Sequence, residues 1–87
     1  MIEEIRRADS FKKSYQKLSS VIQKKFEKQL KFLVENPQYP SLRARKKSGE
    51  EVYEARIDRH YRFTYQIGGK TLTLFTIGPH DEGLGKK

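Results

Sequence analysis

The segment from residue 52 to residue 77 constrains the fold of this chain more than any other. Apolar and polar side chains alternate along it, and Gly68-Gly69 interrupts the alternation. A period of two indicates β-strands, and a Gly-Gly pair is typical of a tight hairpin turn. The segment therefore predicts three antiparallel strands, over residues 52–57, 60–67 and 70–77.

The residues before this segment predict one strand and two helices. Residues 2–6 alternate weakly, as an opening strand would, and residues 8–10 supply a helix-capping signal. A short apolar stripe follows, and after Ser19-Ser20 a longer one, which Asn36-Pro37 ends. The stripe of the second helix consists of Ile22, Phe26, Leu30, Leu33 and Val34. We expect an α+β fold, in which an N-terminal strand and an antiparallel helical hairpin pack on one face of a mainly antiparallel twisted sheet.

Length and charge limit the possible functions. Eighty-seven residues allow one small domain, so residues 1–87 are expected to form a single unit. Nineteen Lys and Arg residues against eleven Asp and Glu residues give a net charge of +8, which favours nucleic acid, an acidic partner protein, or both. Cysteine is absent, which excludes a disulfide framework. We expect no cofactor, no bound metal and no membrane partner, and a cytoplasmic location.

The strand pattern also predicts how side chains share the two faces of the sheet. If the first hairpin turns through Asp58-Arg59-His60, Ile57 pairs with Tyr61 and Arg56 lies opposite Arg62. Phe75 and Ile77 are then expected on the arginine side. The core side is expected to carry Tyr53, Ala55, Ile57, Tyr61, Phe63, Tyr65, Ile67, Leu72 and Leu74.

Two facing arginines have two possible explanations. Like charges directly opposite each other destabilise a sheet by roughly 0.2–1 kcal/mol unless something anionic lies between them. Guanidinium groups bind phosphate oxygens in pairs, so a phosphate is one candidate. Alternatively, Glu54 and Glu51 neutralise the arginines and nothing binds there.

Two further segments carry candidate functional residues. The run Arg43, Arg45, Lys46 and Lys47 predicts a loop or an edge strand with a phosphate-attracting surface. His80-Asp81 follows the last predicted strand. It is either a turn with a capping aspartate or a proton donor with an orienting carboxylate.

The chain resembles the RelE/ParE superfamily of toxins from type II toxin–antitoxin pairs along nearly its whole length. The phrases that carry the resemblance are Val52-Tyr53-Glu54-Ala55-Arg56-Ile57, Tyr61-Arg62-Phe63-Thr64-Tyr65 and Thr76-Ile77-Gly78-Pro79-His80-Asp81. The RelE-like branch implies a toxin that cuts mRNA on the ribosome without metal, by attack of a ribose 2′-hydroxyl on the adjacent phosphate. It also implies a cognate antitoxin partner.

The resemblance implies roles for particular residues. Arg62 matches the family's phosphate-binding arginine, Arg56 lies near a frequent basic position, and His80 matches a position that some members use for catalysis. Glu54 is a candidate general base, and Asp81 a candidate to orient His80. By location, without a family motif, the candidate RNA contacts are Arg43, Arg45, Lys46, Lys47 and Phe75. Phe75 either stacks a base or forms the apolar floor of a groove for the antitoxin.

The C-terminal segment, residues 82–87, departs from the family pattern because it lacks the aromatic residue that several active members carry. Two alternatives therefore remain open beside the nuclease. One is a non-nucleolytic ParE-like toxin that inhibits DNA gyrase. The other is a catalytically inactive module that binds an antitoxin.

Overall fold

The computed structural model describes residues 2–47 and 51–79. Five strands and two helices make up this part of the chain, together with a single 3₁₀ turn at Pro40–Leu42. In chain order the elements are β1 (Glu4–Arg7), α1 (Asp9–Gln16), α2 (Ser20–Glu35), β2 (Arg45–Lys46), β3 (Tyr53–Arg56), β4 (Tyr61–Gly68) and β5 (Thr71–Pro79).

The five strands form one mixed sheet in the order β1-β5-β4-β3-β2. The edge strand β1 runs parallel to β5, and every other neighbouring pair is antiparallel. The predicted α+β fold with a mainly antiparallel sheet is therefore confirmed. The basic run at residues 43–47 was predicted to form either a loop or an edge strand. It contains the short edge strand β2.

The two helices begin in different ways. At the start of α2, Ser19 Oγ accepts a hydrogen bond from Ile22 N at 3.3 Å, as the capping signal predicted. At the start of α1 the N-cap residue is Ala8, and no side chain caps the helix, so the predicted cap there is wrong. Ser10 Oγ instead donates to the Phe75 carbonyl at 2.9 Å. Its hydroxyl thus ties α1 to β5.

The core lies between the helices and the sheet and is largely aromatic. Phe26 of α2 is fully buried, with ring centroids 5.5 Å from Phe11, 5.8 Å from Tyr15 and 5.1 Å from Phe63. Aromatic rings bury large areas per side chain and gain further from tilted contacts. Four rings from three elements thereby fix the helices on one face of the sheet. Among the described residues, no helix is long and apolar enough to cross a membrane.

A β-bulge in β5 corrects one predicted face. Tyr65 pairs with Leu74 and Thr64 pairs with Thr76, so Phe75 is an extra residue opposite the junction. An extra residue in one strand moves every later side chain to the other face. Ile77 therefore pairs with Phe63 and is 5% exposed in the core, not on the arginine side as predicted.

Candidate functional site

Arg56 of β3 lies directly opposite Arg62 of β4, as the hairpin pattern predicted. Both alternate with core residues, so they lie on the face of the sheet away from the helices. On its other side Arg62 pairs with Gly78 of β5. A Cβ atom added to Gly78 would meet nothing within 4 Å. This row across the sheet, which we call the arginine row, therefore ends at Gly78 in open space beside Arg62.

The turn before β4 holds the Arg62 side chain in place. Arg62 Nη1 donates to the Asp58 carbonyl at 2.7 Å and to the Tyr61 carbonyl at 3.0 Å. The Asp58 carboxylate in turn accepts from His60 N at 2.8 Å and from Tyr61 N at 3.0 Å, and it lies 3.3 Å from Lys25 Nζ. One aspartate thus shapes the turn whose carbonyls orient Arg62.

These contacts also set the protonation of Asp58. Burial by itself raises the pKa of the carboxyl group, but the backbone hydrogen bonds from His60 and Tyr61 and the ammonium of Lys25 lower it by more. The net pKa is below the usual range for aspartate. The turn therefore keeps an ionised Asp58 throughout the neutral pH range.

A buried glutamine positions the strand that carries Arg56. Gln29 of α2 is 6% exposed, and its Nε2 donates to the Arg56 carbonyl at 2.8 Å and to the Ser41 carbonyl at 3.1 Å. Its Oε1 accepts from Ser41 Oγ at 3.2 Å. Gln29 thus joins α2, the 3₁₀ turn and β3. Sequence reasoning missed this residue, whose only signal is a polar side chain next to Leu30 on the apolar face of the helix.

A third arginine lies close to the arginine row. The register of β2 on β3 pairs Arg45 with Glu54. If that antiparallel register continued two residues beyond this pair, Arg43 would lie opposite Arg56. Arg43 has left-handed backbone geometry, with φ of 46°, which is unusual for a residue with a side chain. Burial lowers the pKa of Arg56, and the neighbouring charges of Arg43 and Arg62 lower it further. The charges of Arg43 and Arg62 therefore each repel that of Arg56.

No carboxylate of the described residues lies within 4 Å of the charged nitrogens of Arg43, Arg56 or Arg62. Glu54 Oε1 instead lies 3.7 Å from Arg45 Nη2. The expectation that Glu54 and Glu51 neutralise the facing arginines is therefore wrong for the described part of the chain. The Asp58 carboxylate partly offsets the repulsion at Arg56, but no carboxylate of the described residues pairs directly with the arginine row, which suits the row to bind an anion.

The row next to the arginine row carries hydroxyl groups and the candidate base. Glu54 lies opposite Thr64, which lies opposite Thr76, and the two threonine hydroxyl oxygens are 2.6 Å apart. Thr64 is 8% exposed whereas Thr76 is exposed, so the hydroxyl pair extends from the buried layer to the surface of the sheet. Glu54 is two residues from Arg56 on the same face, about 7 Å along the strand.

The structure brings the other predicted site residues together only in part. Arg45, Lys46 and Lys47 lie exposed along the β2 edge, next to the arginine row. Phe75 is partly exposed at the bulge and is not part of the core, as expected. The two remaining predictions, His80 and Asp81, lie outside the described residues. In the part of the chain that the structure describes, no three His, Asp or Glu residues are grouped as metal ligands would be.

Comparison with known proteins relates this architecture to solved structures. No family model matches the sequence, and no curated protein matches it. A YoeB/ParE toxin from Agrobacterium tumefaciens is 16% identical with a TM-score of 0.76; the match covers 90% of this chain and 99% of the toxin. The YoeB–YefM complex from Staphylococcus aureus gives 17% identity, a TM-score of 0.76, and coverage of 92% and 98%.

The intact RelBE toxin–antitoxin complex of E. coli is 20% identical with a TM-score of 0.72, and the match covers 87% of this chain and 94% of that one. Sequence identities of 16–20% establish only that the fold is shared. The chain has the fold of the RelE/ParE toxins, and the predicted RelE-like architecture is confirmed.

Proposed function

We propose that this chain is the toxin component of a type II toxin–antitoxin pair and that it cleaves mRNA on the ribosome without a metal ion. The observation that carries the proposal is the arginine row, where Arg56 and Arg62 face each other with no carboxylate of the described residues between them. A phosphate placed there removes the repulsion and uses the paired donors of each guanidinium.

The proposed reaction is attack of a ribose 2′-hydroxyl on the adjacent phosphorus. The bond from O2′ to phosphorus forms and the bond from phosphorus to O5′ breaks, which leaves a 2′,3′-cyclic phosphate and a free 5′-hydroxyl. Arg62 and Arg56 stabilise the charge that builds on the non-bridging oxygens. Arg62 suits this role because its Nη1 is held by two backbone carbonyls while its other nitrogens remain available.

Two proton transfers complete the reaction. We assign removal of the 2′-hydroxyl proton to Glu54, the one acidic residue on the arginine side of β3, and protonation of the departing O5′ to His80, with Asp81 orienting it. The exposed cations of β2, with Arg43 and Phe75, contact neighbouring nucleotides in this proposal. The partner in this proposal is a cognate antitoxin. It masks the arginine row by presenting Asp and Glu side chains to Arg56 and Arg62.

The test is in-vitro translation with purified protein, followed by mapping of mRNA 5′ ends. We expect cuts in translated mRNA that Arg62→Ala reduces by about 100-fold or more, the range for loss of one charge-stabilising donor. Arg59→Ala is the matched control, because Arg59 is an exposed residue in the same turn and its loss changes the net charge equally. Equal activity of Arg62→Ala and wild type contradicts the proposal.

A gyrase-inhibiting action is the second candidate, because one structure with this fold is described as a YoeB/ParE toxin. Binding alone would need neither Glu54 nor His80. If translation continues in the presence of the protein, and its expression in cells causes DNA breaks that Glu54→Gln and His80→Ala do not prevent, the gyrase action replaces the nuclease.

A further inference from the structure

The outer edge of β1 has no neighbouring strand in the part of the chain that the structure describes. β1 pairs only with β5, at one end of the sheet, and all four of its residues are exposed. The amides of Glu4 and Ala8 donate to carbonyl oxygens on the β5 side at 3.2 Å and 2.9 Å. Because backbone groups alternate in direction along a strand, the N–H and C=O groups of Ile5 and Arg7 point outward. Edges of this kind readily accept a further strand.

An apolar groove lies beside this edge, on the helix side of the sheet. Ile5 pairs in register with the buried Leu72, so its side chain points toward the helices, yet it is 40% exposed. Together with Leu30 and Val34 of α2, it lines a groove of about 600 Å³. A single exposed apolar residue is ordinary, but this one combines an unpaired strand edge with an apolar groove. A strand added to β1 would place one of its side chains over the groove.

The charges around Ile5 have opposite signs before and after it. Residues 3–7 read Glu-Glu-Ile-Arg-Arg, so both acidic residues precede the isoleucine and both basic residues follow it. A two-fold symmetric interface brings residue i against residue j and residue j against residue i. Two antiparallel copies of this segment centred on Ile5 therefore pair Glu4 with Arg6. They also pair Glu3 with Arg7, and each pair occurs twice.

Only one register of such a strand pair satisfies these charges. Side chains opposite each other must lie on the same face, so the two-fold axis passes between two identical residues. An axis at Glu4, Arg6 or Arg7 sets identical charges opposite each other, which destabilises a strand pair. An axis at Ile5 sets opposite charges on both sides and lets the two outward-pointing Ile5 backbones exchange both hydrogen bonds. The charges and the backbone therefore favour the same register.

We propose that this protein forms a symmetric dimer in which the β1 strands of two copies pair antiparallel about Ile5. The two sheets become one sheet of ten strands, and Ile5 of each copy covers the groove of the other. Within one chain, Glu4 Oε2 already lies 3.0 Å from Arg6 Nε, so the dimer places two such ion pairs side by side. Exposed ion pairs add little affinity but fix the register. The arginine row stays open, because Arg62 lies two strands away from β1.

The dimer is expected to be weak. Each copy contributes a four-residue edge and one groove, so the buried area lies at the low end for protein interfaces, where association is transient. Each copy also carries a net charge of +8, although at about 150 mM salt the repulsion is screened beyond about 8 Å. We expect a dissociation constant of about 100 μM.

The test is sedimentation equilibrium of the full chain from about 10 μM to about 1 mM, with two charge-reversal variants. Arg6→Glu and Glu4→Arg each set like charges opposite each other at two positions, so each variant alone should dimerise about 10-fold more weakly. An equimolar mixture of the two variants pairs opposite charges again and should dimerise about as tightly as wild type. One substitution lowers the net charge and the other raises it, so a general charge effect would shift the two variants in opposite directions.

Ile5→Ser tests the contact with the groove, and Val21→Ser is its matched control. Both residues are exposed and apolar, but Val21 lies in the first turn of α2 and does not line the groove. Ile5→Ser should weaken the dimer about 10-fold, whereas Val21→Ser should leave it unchanged. In wild type, the amide hydrogens of Ile5 and Arg7 should exchange more slowly as the protein concentration rises, because they donate across the interface. Circular dichroism shows that each variant is folded.

Several outcomes would overturn the dimer. The proposal is wrong if the chain stays monomeric at millimolar concentration. A dimer that neither charge variant weakens, or that the mixture does not restore, uses another face or another register, which also refutes it. If the Ile5 amide is protected only when a peptide of alternating Glu and Val is added, the edge binds a partner strand instead. Each measurement reports association alone, so its result is independent of whether the protein cleaves mRNA.

Discussion

Replacing the buried Gln29 by methionine should destabilise the protein more than the same replacement of Gln23, the other glutamine of α2. Methionine has a similar length and helix propensity but no hydrogen-bonding amide. The substitution removes three hydrogen bonds, two to carbonyl oxygens and one from Ser41 Oγ. At about 0.5–1.5 kcal/mol each, the expected loss is about 1.5–4.5 kcal/mol.

Gln23→Met on the same helix is the matched control. Gln23 makes one hydrogen bond, from Nε2 to the Tyr15 carbonyl at 2.8 Å, so its loss should be about 0.5–1.5 kcal/mol. Urea unfolding followed by circular dichroism measures both changes, and the slope with urea should stay constant. In thermal unfolding, a loss of about 3 kcal/mol from Gln29→Met corresponds to a Tm lower by about 12–24 °C.

The Gln29 argument also has a functional part. Because Gln29 Nε2 binds the Arg56 carbonyl, Gln29→Met should also weaken RNA binding below the unfolding temperature, while Gln23→Met should not. The reasoning fails if Gln29→Met is no less stable than Gln23→Met. A stability loss with unchanged RNA affinity would refute only the claim that Gln29 positions β3 for binding.

Asp58→Ala should lower the free energy of unfolding by about 3 kcal/mol at pH 7, from two hydrogen bonds to a charged acceptor at about 1.5 kcal/mol each, the low end of the range because the carboxylate is 21% exposed. Since the folded pKa of Asp58 lies below its unfolded value, the stabilisation is present above the unfolded value of about 4 and is lost as the pH falls below it, so wild type and variant should converge at low pH in urea unfolding. Phe26→Ala should cost about 3–5 kcal/mol by the same assay, because Phe26 is fully buried; a loss under 1 kcal/mol contradicts the aromatic core. In an ultraviolet pH titration, Tyr15 and Tyr65 should ionise near pH 12, because burial raises the pKa of both and the Glu27 carboxylate raises that of Tyr15 further; ionisation of either near pH 10 would contradict this. RNA affinity should fall steeply between about 50 and 200 mM salt, and Arg62→Ala should reduce that salt dependence by about one phosphate contact.

Local signals in the sequence were sufficient for much of the fold. Ser19 and Asn36-Pro37 mark the two ends of α2 because a hydroxyl cap and a proline act over only a few residues. Asp58-Arg59-His60 fixes a short turn, and this turn determines that Arg56 faces Arg62. That register prediction, from residues adjacent in sequence, was the main part of the site that sequence reasoning obtained.

Features that depend on distant contacts were not predictable in the same way. The alternation changes phase at the adjacent apolar residues Leu74 and Phe75, but the pattern alone does not show that a bulge absorbs the change, so Ile77 was assigned to the wrong face. Ser10 resembles a capping residue, but its hydroxyl binds a carbonyl 65 residues away. Gln29 looks like an ordinary helix residue until Ser41 and β3 are placed beside it. Each miss involves a partner that only the folded chain supplies.

The parallel pairing of β1 with β5 limits when the sheet of this protein can be completed. Glu4 lies opposite Thr71, 67 residues later, so the first strand to be synthesised must wait for nearly the last. Contacts of such long sequence separation form slowly and late. Gly78, the neighbour of Arg62, belongs to the same final strand. The arginine row, which we propose holds a phosphate, is therefore complete only after residue 78 has been synthesised and β5 has paired with β4.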